Sequence, residues 1–131
     1  ELYPDMSHEE IYRKFTFPCD DAADGLEFFE AFYRNGRRSL EALLKQEPEI
    51  KGAAFMNDAA ALGGASLLVD NPELTRLLIA GHNNDHCIQH YPYPLSSSMM
   101  DYEKMVDLLA EYAVSGKPCR IEVEPLVFIR S

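Results

Sequence analysis

The sequence contains no tryptophan, few cysteines and no apolar segment long enough to span a membrane. Its three cysteines, Cys19, Cys87 and Cys119, lie far apart, and none belongs to the closely spaced pairs of zinc knuckles or redox motifs. Because an odd number leaves at least one thiol unpaired, we expect free, partly buried cysteines in a reducing compartment. The amino terminus lacks a signal-peptide pattern, and the sequence therefore predicts a cytoplasmic location.

Basic residues are scarce, at 12 lysines and arginines against 22 aspartates and glutamates, which gives a formal net charge of −10. Such a charge repels nucleic-acid phosphates and anionic lipid headgroups, so we expect neither nucleic acid nor a membrane as a partner. Phosphate-binding glycine motifs are missing too, because Gly63-Gly64 fits neither the dinucleotide-binding pattern nor the P-loop. No cofactor is predicted, and catalysis is not indicated.

The length of 131 residues suits a single globular domain, 1–131, and 47% hydrophobic residues are enough to fill its core. Apolar residues that recur every three or four positions predict helices through most of the chain. We expect a predominantly helical α+β fold with about five or six helices. Alternating residues near the carboxyl terminus predict a small sheet that includes a C-terminal strand or strand pair, and Pro125 favours an edge position for it.

Cap residues, prolines and glycines mark the ends of the predicted helices. The clearest helix is 72–80, with Asn71 as its N-cap, Pro72 at its first position and Gly81 after its end. The same signals predict a short helix capped by the Ser7/Glu10 box, two helices divided at Asn35-Gly36, a buried helix over 53–62 that ends at Gly63-Gly64, and a last helix that ends at Gly116.

A leucine-rich pattern occurs three times, beginning at Leu40, Leu74 and Met105, with offsets of 34 and 31 residues. Offsets of this size are typical of helical repeats such as ankyrin or tetratricopeptide units. Any amphipathic helix produces the same pattern, however, and the two offsets are unequal. A helical-repeat scaffold that binds peptides is therefore kept only as an alternative.

Three of the four histidines, His82, His86 and His90, fall within nine residues, and Asp85 lies among them. Imidazole and carboxylate groups are common ligands of transition metals. The flanking asparagines and prolines favour a turn and a strand, in which His86 and His90 would lie about 13 Å apart, too far for one ion. We therefore predict no metal. A small metal- or ligand-binding enzyme that uses His82, Asp85, His86 and His90 is the alternative.

Two groups of residues are candidate contact surfaces. Five acidic residues precede the arginines of a predicted helix, and their negative face would attract a cationic partner. Two tyrosines, each followed by a proline, would supply stiff apolar anchors. The predicted partner-binding residues are Asp20, Asp21, Asp24, Glu27, Glu30, Tyr91 and Tyr93.

These features favour a small acidic interaction protein over an enzyme. Inhibitors and immunity proteins that neutralise a basic toxin or nuclease have this size and charge, and the chain resembles them as a class. The sequence therefore predicts an inhibitor or immunity-type function with a basic protein partner. It makes no prediction of the oligomeric state.

Overall fold

The computed structural model describes residues 5, 7, 9, 10, 26–116 and 122–130, with the backbone alone for residues 26 and 27. In this part of the chain, three α-helices accompany a four-stranded mixed sheet. The helices are α1 (Leu26–Gln46), α2 (Asp58–Asp70) and α3 (Tyr102–Ser115), and the strands are β1 (Gly52–Ala54), β2 (Leu78–His82), β3 (Leu95–Met99) and β4 (Leu126–Phe128). Short 3-10 helices occupy Pro72–Arg76 and His86–Ile88.

The strands lie in the order β1-β2-β3-β4. The first three are parallel, with Gly52 opposite Leu78 and Ile79 opposite Leu95, whereas β4 runs antiparallel to β3. The segment β1–α2–β2 is a βαβ unit, in which the helix carries the chain back so that the second strand can run parallel to the first. As a result, the carboxyl ends of β1, β2 and β3 meet at one edge of the sheet.

This architecture shows that the predicted fold class is wrong, because the described residues do not form five or six helices with a small sheet. The largest error is the helix predicted over 72–80. The structure has a 3-10 helix that begins at Pro72, and strand β2 begins at Leu78. A short apolar run such as 77–80 suits a buried parallel strand as well as a helix, and periodicity alone does not separate the two. The helical-repeat alternative is wrong as well, because the second leucine pattern, which begins at Leu74, runs from the 3-10 helix into a strand.

The packing of α1 against α2 explains two further errors. Helix α1 continues past Gly36, and α2 continues past Gly63, where the sequence predicted helix ends. A Cβ at Gly36 would collide with the backbone of Ala60, and a Cβ at Gly63 would collide with the backbone of Tyr33. These glycines therefore allow the two helices to approach closely instead of ending them.

The core lies between α1, α2 and one face of the sheet. Helix α2 is nearly surrounded, with eleven of its 13 residues buried. The main cluster of buried apolar side chains contains Leu40, Ala61, Leu62, Ala65, Leu67, Leu68, Leu77, Ile79, Ile88 and Leu95.

Several local predictions are confirmed. Ser7 and Glu10 form the reciprocal capping box, with the Glu10 N–H donating to Ser7 Oγ at 3.2 Å and the Ser7 N–H donating to Glu10 Oε2 at 2.8 Å. The last helix ends at Gly116, as predicted, and Gly116 has the left-handed φ of 63°. Strand β4 lies at an edge of the sheet.

Among the described helices, none is both long and apolar enough to cross a bilayer.

Candidate functional site

Polar residues collect where the three parallel strands end. Two of them follow β1 at the start of α2, four lie at or after the end of β2, and two belong to the second half of β3. In open parallel α/β sheets, ligands bind outside the carboxyl ends of the strands. We call the following eight residues the carboxyl-edge cluster: Asn57, Asp58, His82, Asn83, Asn84, Asp85, Ser97 and Ser98.

The buried half of this cluster is organised by Asp58, whose side chain has no exposed surface. Its carboxylate accepts hydrogen bonds from the backbone N–H of Asp85 at 2.6 Å and from the hydroxyl of Ser97 at 2.8 Å. Burial raises the pKa of the Asp58 carboxyl, and the two hydrogen bonds oppose that rise because they favour the charged form. A Cβ at Gly81 would collide with this carboxylate, so the glycine is what lets β2 pass beside it.

The turn after β2 has two consecutive non-glycine residues with positive φ, Asn83 at 100° and Asn84 at 53°. Such angles are uncommon for L-residues other than asparagine and aspartate, and each costs about 1–3 kcal/mol unless the surroundings hold it. Here the Asn83 N–H donates to the carbonyl of Ser98 at 2.7 Å, and the Asn84 N–H donates to Ser97 Oγ at 3.0 Å. The guanidinium of Arg130 donates to the Asn84 side-chain oxygen at 2.6 Å. Residues held in this way concentrate at binding sites.

The accessible half of the cluster offers hydrogen-bonding side chains. The Nδ1 atom of His82 lies 2.9 Å from the hydroxyl of Ser98, which fixes the orientation of the imidazole ring. Asn57 caps α2 by accepting from the Ala60 N–H at 2.8 Å, which leaves its own NH₂ group able to donate. The exposed amide of Asn83 makes no side-chain hydrogen bond within the described residues. Together these groups could orient a small polar molecule.

An apolar cleft elsewhere is less suitable for a polar ligand. It lies beside α3 and is lined by Met100, Met105, Leu109 and Val123. Since these side chains offer no strong hydrogen-bond donor or acceptor, they could not fix the orientation of a polar molecule. The carboxyl-edge cluster is therefore the candidate site.

The acidic surface predicted from the sequence is described only at its end. Asp20, Asp21 and Asp24 lie outside the described residues, as does the side chain of Glu27, although its backbone belongs to α1. Glu30 is exposed and pairs with Arg34 at 3.2 Å, one turn further along the same helix. The basic protein partner stays an untested prediction.

Tyr91 and Tyr93, the other predicted partner-binding residues, lie partly against the core, and their binding role stays an untested prediction. Both are half-buried and pack against the main core, with their ring centroids 6.5 Å apart. The Tyr93 hydroxyl donates to the carbonyl of Leu68 at 3.4 Å, and burial raises the pKa of the Tyr91 hydroxyl. Their positions indicate a structural role, in which the segment between Ile88 and β3 is held against α2.

The histidine segment differs from the predicted strand. The 3-10 helix His86–Ile88 folds it into a turn, and the rings of His86 and His90 lie in edge-to-face contact with centroids 5.4 Å apart. The predicted separation of about 13 Å is therefore wrong. His82 bonds with Ser98 instead of joining them. Within the described residues, no three histidine, cysteine, aspartate or glutamate side chains are arranged to hold a metal ion.

Cys87 is a free, exposed cysteine, in agreement with the prediction that this thiol is unpaired. Desolvation raises its pKa, and the carboxylates of Asp85 and Asp58 raise it further. Because the thiolate is the nucleophile, this environment makes Cys87 less reactive than a free thiol. The segment provides no activated nucleophile.

Sequence reasoning missed Asn57 and Asn83 as site residues. Each follows a short apolar segment, 53–55 or 77–80, and precedes a change of chain direction. Assigning both segments to strands of one parallel sheet would have brought the two asparagines to the same edge. Because a helix was predicted over 72–80, neither strand β2 nor the site at its carboxyl end could be predicted.

No known protein-family model matches the chain, and no curated protein sequence matches it. Solved structures do match. A putative transcription regulator from Staphylococcus saprophyticus has 20% identity and a TM-score of 0.55 over 78% of this chain and 39% of that one. A periplasmic solute-binding protein of an ABC transporter from Actinobacillus succinogenes, with bound D-allose, has 17% identity and a TM-score of 0.56, covering 74% and 37% of the two chains. A LacI-family transcriptional regulatory protein from Corynebacterium glutamicum has 21% identity and a TM-score of 0.52, covering 81% and 52%.

The similarity establishes the fold, a Rossmann-like α/β arrangement found in sugar-binding proteins and LacI-type regulators. This chain spans roughly 37% to 52% of the length of the last two structures. The prediction of an inhibitor or immunity-type protein is wrong, because the structures that share the fold of this chain are transcription regulators and a solute-binding protein. That prediction depended on size and net charge, two properties that many unrelated folds share.

Proposed function

We propose that the chain belongs to a protein that recognises a small, uncharged polar molecule, such as a monosaccharide, at the carboxyl-edge cluster. The observation that carries this proposal is the convergence of Asn57, His82, Asn83 and Ser98 at the ends of three parallel strands. None of the four is a carboxylate, all carry hydrogen-bonding side-chain groups, and all retain solvent access. Sugar hydroxyls both donate and accept, as these side chains do.

Charge argues against an anionic ligand. The chain carries a net charge of −10, and Asp85 lies exposed beside the turn. An approaching phosphate or carboxylate would be repelled by this field, whereas a neutral sugar would not. Among the similar structures, the solute-binding protein is described with a neutral sugar, D-allose. The cytoplasmic location predicted from the sequence stays a separate proposal.

The test is binding of a panel of neutral monosaccharides, D-allose included, to the purified chain, measured by calorimetry and by the shift in Tm. Uronic acids and sugar phosphates of matched size serve as the anionic comparison. We expect at least one neutral sugar to raise the Tm, because a ligand that binds only the folded state stabilises it. We expect the anionic sugars to have no effect.

Variants locate the binding. Asn83→Ala and His82→Ala should each weaken binding of that sugar about 10-fold, which corresponds to about 1.4 kcal/mol. The matched control is Thr75→Ala, because Thr75 is exposed in the 3-10 helix before β2, at the opposite edge of the sheet. If no sugar binds, or if all three variants weaken binding equally, the proposal is refuted.

A further inference from the structure

Asp58 is a buried charged group with no direct part in the proposed recognition. Its side chain has no exposed surface, so a ligand outside the sheet edge could not touch it. It is not required as the N-cap of α2 either, since Asn57 fills that role by accepting from the Ala60 N–H. A buried carboxylate is costly unless its hydrogen bonds are made, which raises the question of what these bonds hold in place.

The bonds of Asp58 lead to the turn after β2. Its carboxylate accepts directly from the Asp85 N–H at 2.6 Å. It also accepts from the Ser97 hydroxyl at 2.8 Å, and that hydroxyl in turn accepts from the Asn84 N–H at 3.0 Å. The preceding amide, that of Asn83, donates to the carbonyl of Ser98 at 2.7 Å. Two of the three successive amides of the turn therefore depend on one carboxylate.

The turn needs such support because of its backbone. Asn83 and Asn84 both have positive φ, a region that asparagine tolerates but does not favour over the ordinary conformations. Asn83, which is exposed, directly follows His82 at the end of β2, so its backbone conformation determines where its side chain lies relative to His82. A relaxed turn would point the Asn83 side chain in another direction.

We propose that Asp58 is a positioning residue of the binding site, which holds residues 83–85 in the positive-φ turn that presents Asn83 beside His82. This inference rests on the proposed function for its role in binding. The state of the turn itself is measurable without any ligand. Arg130 also holds the turn, because its guanidinium donates to the side chain of Asn84, and we expect this bond to leave partial order when Asp58 is replaced.

The first arm of the test is amide hydrogen exchange followed by NMR, without ligand. Asp58→Ala should speed exchange at Asn84 and Asp85 at least 10-fold, while the core strand amide of Ile79 keeps its protection. Asp58→Asn, which retains one carbonyl acceptor, should give an intermediate effect. Glu73→Ala is the matched control, because it removes an exposed acidic residue from the 3-10 helix before β2, at the opposite edge of the sheet. Its exchange at Asn84 and Asp85 should match that of the unmodified chain.

The second arm is binding of the monosaccharide identified in the panel, for which Asp58→Ala should lose about 10-fold in affinity and Asp58→Asn less. Unchanged exchange at Asn84 and Asp85, or equal loss of protection at Ile79, overturns the positioning role. Faster exchange with unchanged affinity overturns its importance for binding. If no sugar binds the unmodified chain, the proposed function fails while the exchange arm still decides whether Asp58 holds the turn. If Asp58→Ala does not fold, Asp58→Asn and Ser97→Ala carry the same comparison.

Discussion

Helices α2 and α3 differ sharply in burial although their sequences give similar local signals. They have 13 and 14 residues, and each begins at an N-cap whose side chain accepts from the backbone N–H three residues later. Yet α2 has eleven buried residues and α3 has none. Capping determines where a helix begins, whereas burial depends on what the rest of the fold places around it.

The difference is visible in the composition of the two helices. The residues of α2 are small or apolar on nearly every side, which suits a helix enclosed by α1 and the sheet. Helix α3 carries charges along much of its length, and its apolar residues remain accessible, with Leu109 53% exposed and Val114 91% exposed. Of these two helices, α2 is therefore tightly packed and α3 is not.

The largest expected effect tests this contrast through leucine truncation. Leu68 of α2 is almost completely buried in the main core, so Leu68→Ala should lower the free energy of unfolding by about 2–5 kcal/mol through lost burial and the cavity left behind. Leu109→Ala should change it by only about 0.5 kcal/mol, because that side chain is half exposed. Urea denaturation measures both. Equal losses would mean that α3 is packed as well as α2.

A smaller effect separates two glycines that are required for different reasons. Gly63→Ala should cost about 1–3 kcal/mol, because the added Cβ meets the backbone of Tyr33 and forces α1 and α2 apart. Gly116→Ala meets no atom nearby but must adopt a φ of 63°, at a cost of about 1 kcal/mol. Gly116→Asn should recover part of this loss, since asparagine tolerates positive φ, whereas Gly63→Asn should be worse than Gly63→Ala. Recovery at Gly63 would show that the helix contact is not close. Thermal unfolding of the four variants provides the measurement.

The sequence was sufficient for features that depend on a few neighbouring residues. The Ser7/Glu10 capping box, the end of α3 at Gly116 and the edge position of β4 all follow from local chemistry, and all are confirmed. The position of Gly63 inside a helix could not be predicted in this way, because its cause is a contact with Tyr33, thirty residues earlier in the chain.

The candidate site was missed for a related physical reason. Asp58 meets Asp85 and Ser97 only after the chain has passed through a helix, two strands and a turn. Their adjacency depends on the parallel register of β2 with β3, which a one-residue shift would destroy. Once residues 77–80 were interpreted as helix, no local pattern could restore that register. The predicted function then depended on the acidic composition, a property that many unrelated folds share.

The smallest expected effect is the pH dependence of stability that arises from the buried carboxyl of Asp58. Burial raises the pKa of the Asp58 carboxyl above its value of about 3.9 in an unfolded chain, so the folded state binds this proton more readily. The stability that this linkage contributes is complete below the unfolded pKa and is lost as the pH rises through the folded pKa. Asparagine has no such proton to lose. The free energy of unfolding of the unmodified chain, relative to that of Asp58→Asn, should therefore decrease from acidic towards neutral pH.

Ser97→Ala sharpens this measurement. It removes a hydrogen bond that favours the charged carboxylate, so the pKa of Asp58 should rise further and the decrease with pH should extend to a higher pH. Chemical denaturation at a series of pH values compares the three chains. A relative stability that instead increases with pH would mean that the hydrogen bonds from Asp85 and Ser97 outweigh burial. In that case the folded chain would favour the charged carboxylate over the neutral acid, and the pKa of Asp58 would lie below its unfolded value.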